Sequence, residues 1–167
     1  MKKVEFTELQ LNPFLKFNKQ WALISAGTED GRFNTMTASW GHLGSIWEQK
    51  PTAIVYIRPS RYTKQFVDNN DYFSLCFFGE EYRNDLTYLG TVSGRNEDKI
   101  SKTKLTPVYN DKAGYFKEAD LVLICRKIYK QELKEDNFLD IDIMEKHYPE
   151  RDFHDMYIGE IIETYVK

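Results

Sequence analysis

The sequence predicts a mainly β fold of the α+β type, a β-barrel with short helices over its mouth or ends. Three observations carry this. Five or six apolar, β-branched or aromatic runs recur along the chain, only short helical patterns separate them, and no internal repeat or linker-like composition divides the 167 residues. A chain of this length fits one domain, residues 1–167, with little room for a second core. Hydrophobic residues at 41% and aromatics at 15% suffice to fill that core and argue against disorder.

Residues 1–20 read as an N-terminal arm, irregular from 6 to 17 because Pro13 breaks any helix. Residues 21–26 form a buried strand and 33–40 its partner, with Asp30-Gly31 between them as a hairpin signal. Residues 41–47 are too glycine-rich for regular structure and form a loop. The β-branched run 52–57 is a strand, closed by Arg58-Pro59 since proline removes a ladder donor. A short helix covers 64–69, with Thr63 or Ser60 as its cap, and 72–78 is the next strand. The segment 80–89 is a helix with Gly90 as its stop. A turn at 91–95 and a brief polar helix that starts with 97–100 follow. Short extended pieces at 105–109 and 115–116 precede the longest strand, 119–129. The acidic stretch 131–145 is irregular apart from a helical turn near 141–144. A loop at 148–155 leads into the closing strand, 156–166.

Composition excludes several functions. The formal net charge is -3, with acids and bases dispersed, so the basic footprint of a nucleic-acid binder is missing. No apolar stretch approaches a membrane span, and Met1-Lys2-Lys3-Val4-Glu5-Phe6 opens no signal peptide, so the expected location is cytoplasmic. Cys76 and Cys125 lie inside apolar runs and read as buried free thiols. His42 and His147 read as loop histidines, Asp140 and Asp142 as a solvated acidic face, and no metal site is expected.

Three segments carry chemistry. Asn34, Thr35, Met36, Thr37, Ala38, Ser39 and Trp40 combine hydroxyls, an amide and an indole without any charge, which suits a flat ligand rich in hydrogen-bonding groups. By itself the run is also an edge strand with a solvated Thr/Ser face. Arg58, Ser60, Arg61, Tyr62 and Thr63 form one cationic turn before a helix start; Ser93, Gly94, Arg95 and Lys99 form another. Free N–H groups at helix starts and paired arginine donors favour an anion such as phosphate, and Gly94 lets backbone approach a ligand closely. Taken singly, each cluster is also ordinary solvated surface.

In this order and separation, the three segments resemble the flavin reductase-like, FMN-binding split-barrel family, and within it the flavoredoxin-like branch. The resemblance runs from about Trp21 to the final strand. It implies a split β-barrel that forms a homodimer with FMN near the interface. Residues Asn34 to Ser39 would then contact the isoalloxazine ring and ribityl chain, with Trp40 beside them. Arg58, Ser60, Arg61, Tyr62, Thr63, Ser93, Arg95 and Lys99 would hold the phosphate region. Many members carry a Gly-Asp-His run near the nicotinamide site, with a glycine five residues past the histidine. His154 and Gly159 keep that spacing, but Asp152-Phe153 replaces Gly-Asp, leaving Asp155 as the acid on the histidine's other side. The resemblance implies no catalytic side chain, since flavin N5 carries the chemistry, with His154 as a nicotinamide-side residue. It leaves three functions open: an NAD(P)H-dependent FMN oxidoreductase serving free flavin or another acceptor, an FMN electron carrier serving a redox partner protein, and a module that binds no flavin.

Overall fold

Strands that show no polar alternation in the sequence prove to be covered on both faces. The computed structural model describes residues 1–28 and 32–167. In chain order they form β1 (Lys2–Val4), α1 (Pro13–Leu15) running into a π-helical turn (Lys16–Gln20), β2 (Ala22–Thr28), β3 (Arg32–Ala38), β4 (Gly41–Ile46) and β5 (Lys50–Ile57). Then follow α2 (Tyr62–Asn69), β6 (Tyr72–Phe77), α3 (Arg83–Thr91), β7 (Pro107–Tyr109), β8 (Gly114–Phe116), β9 (Leu121–Glu132), α4 (Ile141–His147) and β10 (Asp155–Val166).

Among the described residues, one antiparallel sheet runs β3-β2-β6-β9-β10-β5-β4, with β1 added along the end of β10, while β7 and β8 pair apart from it. The sheet's outermost strands, β3 and β4, are neighbours in sequence, and the curled sheet is a split barrel. Even and odd residues of the central strands serve different cores, as a two-residue period requires. Ala22, Ile24, Phe73, Leu75, Leu123 and Cys125 fill the barrel with Phe17, Val55 and Tyr157. Their neighbours Leu23, Cys76, Val122 and Ile124 pack under α3 and the β7–β8 hairpin with Leu86, Leu89 and Phe116. Each fully buried large side chain contributes roughly 1.5–3 kcal/mol relative to exposure. Both cysteines are free and buried, and burial pushes the Cys76 thiol up to about 12, as expected of inert core thiols. No helix among the described residues is long and apolar enough to cross a membrane.

Several expectations are corrected. Among the described residues ten strands form, not five or six, and β4 replaces the expected loop at 41–47. Pairing with β5, from Gly41↔Val55 to Ile46↔Lys50, overrides the low strand propensity of glycine. Gly41 serves packing: a Cβ there would stand 2.3 Å from the Phe17 ring. His42 consequently lies on a strand, edge-to-face with Tyr56 at 5.8 Å. Pro13 begins a helix where a break was expected, because Asn12 Oδ1 accepts from Phe14 N and Leu15 N and the first helical position needs no N–H. Gly90 lies within α3, whose cap is Val92. Neither Thr63 nor Ser60 caps α2, which starts at Tyr62 with no side-chain cap. The brief polar helix expected to start within 97–100 is a single 3-10 turn, Ile100–Lys102. Asp140 caps α4, accepting from Asp142 N and Ile143 N, and α4 extends through His147. The Asp30-Gly31 turn lies outside the described residues, while the strands that flank it pair from Thr28↔Arg32 inward.

Candidate functional site

β3 ends the sheet, so alternate peptide groups of this strand have no strand partner. Two adjoining hollows of about 160 and 80 Å³ follow it, sharing Met36, Thr37 and Arg61. Of the seven residues 34–40, six line these hollows. Thr35 does not, for it is buried with its hydroxyl tied to Ser25 Oγ and Ile24 O. Thr37 donates to Leu86 O, and Asn34 Nδ2 donates to Thr63 Oγ1 at 2.9 Å, so β3 is fastened to both α3 and α2.

The smaller hollow brings the two cationic turns together: Ser60, Arg61, Tyr62 and Thr63 on one side, Ser93, Gly94 and Lys99 on the other. Gly94 makes this approach possible, since a Cβ there would lie 2.5 Å from Asn34 Oδ1. Arg95 spans the turns, donating to Ser60 O at 3.0 Å with its guanidinium over the Tyr62 ring. The Lys99 ammonium is buried and donates to Leu89 O (2.8 Å) and Val92 O (3.0 Å), capping the end of α3. Burial and the neighbouring Arg61 charge lower its pKa to about 8. Among the described residues, the Arg61 guanidinium makes one long contact, 3.5 Å to Gly90 O.

Arg58 lies at the other end of the groove. Its guanidinium donates to His147 O (2.7 Å) and Asp152 O (3.0 Å), binding the 147–153 loop to the barrel. Ser60 is held by the Asp152 carboxylate through Oγ (2.5 Å) and N (3.3 Å). His154 lines the larger hollow beside Trp40, with ring centroids 5.1 Å apart, and its Nδ1 bonds the Tyr148 hydroxyl at 2.7 Å. Burial, then the Arg58 charge, lowers the His154 pKa to about 4, so it is neutral near pH 7. Asp155 is unavailable to it, being paired with Lys64 (2.8 Å) and Lys130 (3.1 Å).

Sequence reasoning missed Tyr56, Tyr148 and Asp152 as site residues. Tyr56 was legible: Val55 and Ile57 face the core, so the residue between them faces outward. Tyr148 and Asp152 reach the site through loop geometry, for which the sequence offers no periodic signal.

The arrangement suits a phosphate-bearing aromatic cofactor. Among the described residues, Lys3, Lys50, Lys64, Lys112, Arg126 and Lys130 each pair with a carboxylate; Arg61 and Lys99, which line the small hollow, and Arg95 beside it pair with none, as is also true of cations elsewhere such as Lys16 and Lys127. Two cations without a carboxylate partner on one small hollow fit a bound anion, and the uncharged β3 wall of the groove leading from it fits a ring with carbonyl and nitrogen edges.

Fold and site together define a split barrel built around a nucleotide-type cofactor. The chain belongs to the flavin reductase like domain family, whose description matches residues 14–167. It is similar to the flavoredoxin of Methanosarcina acetivorans at 25% identity and TM-score 0.67, over 89% of this chain and 68% of that one. The flavoredoxin of Desulfovibrio vulgaris (Miyazaki F) is 24% identical with TM-score 0.68, over 100% and 77%. An FMN-binding domain of a flavin reductases-like enzyme from Shewanella baltica shares the fold at 17% identity and TM-score 0.69, over 99% and 76%. No curated protein matches the sequence.

Proposed function

We propose that this chain is an FMN-binding oxidoreductase of the flavin reductase type, taking electrons from NAD(P)H and delivering them to free flavin or another acceptor. The observation that carries the reading is the cationic cradle, Arg61 and Lys99 with Arg95 beside them and no carboxylate partner among the described residues, at the end of a groove walled by the uncharged strand β3. Lys99 and Arg61 hold the phosphate, aided by the uncapped first turn of α2. The free edge of β3 and the Ser39 hydroxyl bind the polar edge of the ring, and Trp40 flanks it. Neutral His154, oriented by Tyr148, offers its other ring nitrogen at the ring end. When bound, FMN supplies the redox chemistry at N5 of its ring, so the chain needs no nucleophile of its own. A second copy closes the site, because Phe14, Ile143 and Trp40 line an exposed apolar groove of about 570 Å³ beside it.

A second reading, an FMN electron carrier that does not use NAD(P)H, is favoured by the commitment of both acids near His154. Asp152 is engaged by Ser60 and Asp155 by Lys64 and Lys130. Anaerobic mixing of the FMN-loaded protein with NADH or NADPH separates the two. Bleaching of the visible flavin band by either nucleotide is the outcome expected of a reductase; bleaching only by a ferredoxin-like donor would establish the carrier.

A further inference from the structure

Two side chains tie the segment that carries the cradle to the residues on either side of His154. Ser60 Oγ donates at 2.5 Å to the carboxylate of Asp152, which precedes the histidine, and Lys64 Nζ lies 2.8 Å from Oδ2 of Asp155, which follows it directly. The second tie belongs to a wider cluster. Lys64 also reaches Asp68 (2.7 Å), Lys130 contacts Asp68 (2.8 Å) and Asp155 (3.1 Å), and the buried Tyr157 hydroxyl donates to Asp68 at 2.8 Å. Two cations thus face two carboxylates, and none of the four lines the groove or the cradle.

The members of this cluster join different things. Lys130 lies on β9, where the sheet already pairs it with Tyr157 of β10. At the far end of α2, Lys127 Nζ donates to Val67 O and Asp68 O and fastens that end to β9. Lys64 stands in the first turn of α2, a helix that rests on β2 and β3, whereas β10 lies three places from β2 in the sheet. Its bond to Asp155 therefore spans from the helix behind Arg61 to the strand behind His154. Lys64 and Asp155 expose 15% and 10% of their side chains, a depth at which either charge left alone is costly. Burial would lower the Lys64 pKa, but the bonds to Asp155 and Asp68 raise it, so the pair persists at neutral pH. We infer that Lys64 and Asp155 are positioning residues: their ion pair sets the distance between the cationic turn and the His154 ring, so that a ligand spanning the groove meets both ends at once. A second contact strengthens binding only when its spacing is right, and a misplacement of about 1 Å forfeits much of the gain.

This role rests on the flavin reading for the identity of the spanning ligand; the tie itself does not. Lys64→Met/Asp155→Asn removes one cation and one carboxylate, which keeps the net charge at -3 and leaves Lys130 paired with Asp68. Lys64→Arg keeps a cation between the two carboxylates. Fluorescence titrations with FMN and riboflavin read the groove, and NMR of the histidine rings in the flavin-free chain reads the tie. In the double variant FMN should bind about tenfold more weakly and riboflavin within about twofold of the unaltered chain, since riboflavin has no phosphate to bring into register. Lys64→Met alone should show the same pattern, and Lys64→Arg should match the unaltered chain. His154 is faced by Trp40, Tyr56 and Tyr148 and by the Arg58, Asp152 and Arg61 charges. Once untied, it should titrate above its present pKa of about 4 and lose ring contact with Trp40. A pair that only adds stability would lower the thermal midpoint and leave the affinities and the His154 titration unchanged, which overturns the inference. A riboflavin loss equal to that of FMN overturns it too, as does a His154 that does not shift. If the unaltered chain takes up no flavin while His154 shifts in the double variant, the tie stands and the flavin reading falls.

Discussion

At Lys99 a buried ammonium caps α3 and faces the cradle, and its burial, with the Arg61 charge nearby, lowers its pKa to about 8. A phosphate placed there favours the charged form and raises that pKa. FMN affinity should therefore fall as pH rises through about 8, since the free chain loses a proton that the complex retains, from a plateau that reaches down to the phosphate's own second pKa of about 6. Fluorescence titrations across this range check the slope. Lys99→Met should abolish it, and riboflavin, which has no phosphate, should show none in either protein. His154 gives a signature in acid. Its folded pKa of about 4 lies below the ordinary 6.5, so the unfolded chain binds the proton first. Stability should fall as pH drops from 6.5 toward 4, read as the urea midpoint, and His154→Asn should flatten that decline. Asp68 acts in a separate window. Burial would raise its pKa, but bonds from Lys130, Lys64 and Tyr157 bring it to about 2, so its contribution is lost only below 3.8.

The elements differ in how legibly their sequences announce them. The apolar runs that became β2, β6 and β9 were plain because both faces are buried. β4 was not, since Gly41 and Gly44 obscure it and only the long-range register with β5 makes it a strand. α1 had a readable start, Asn12 before Pro13, which the rule that proline breaks helices concealed. The three chemical segments were visible as residue types, yet their commitments were not. That Ser60 is engaged by Asp152 and Arg58 by loop carbonyls follows from contacts between residues far apart in the chain, which no local pattern encodes. The contact between β3 and the 93–95 turn offers a direct test. Gly94→Ala puts a methyl group against Asn34 Oδ1 and disturbs its bond to Thr63. The turn must move outward, so FMN affinity should drop about tenfold while the thermal midpoint changes by a few degrees at most. Equal FMN affinity in the variant would show that the turn does not form the cradle.

For the molecule as a whole, the split barrel leaves an apolar rim beside the site. Phe14 is 82% exposed, and on the segment leading into α4 Leu139 is fully exposed, with Ile141 at 59%. Isolated exposed apolar residues are ordinary; a group of them beside a groove is the surface that the proposed second copy would cover. The chain of 19.8 kDa should run as a dimer in light scattering at micromolar concentration. Phe14→Glu with Ile141→Lys should yield monomers and release flavin without unfolding the barrel. The central claim is that the cradle holds the phosphate of FMN, and equilibrium dialysis of FMN against Arg61→Ala/Lys99→Ala tests it most directly, with Lys134→Ala as control. Charged hydrogen bonds of roughly 1.5–3 kcal/mol each predict a loss of at least about tenfold in the double variant and none in the control. Equal retention in all three proteins, or no FMN uptake by the unaltered chain, would contradict it.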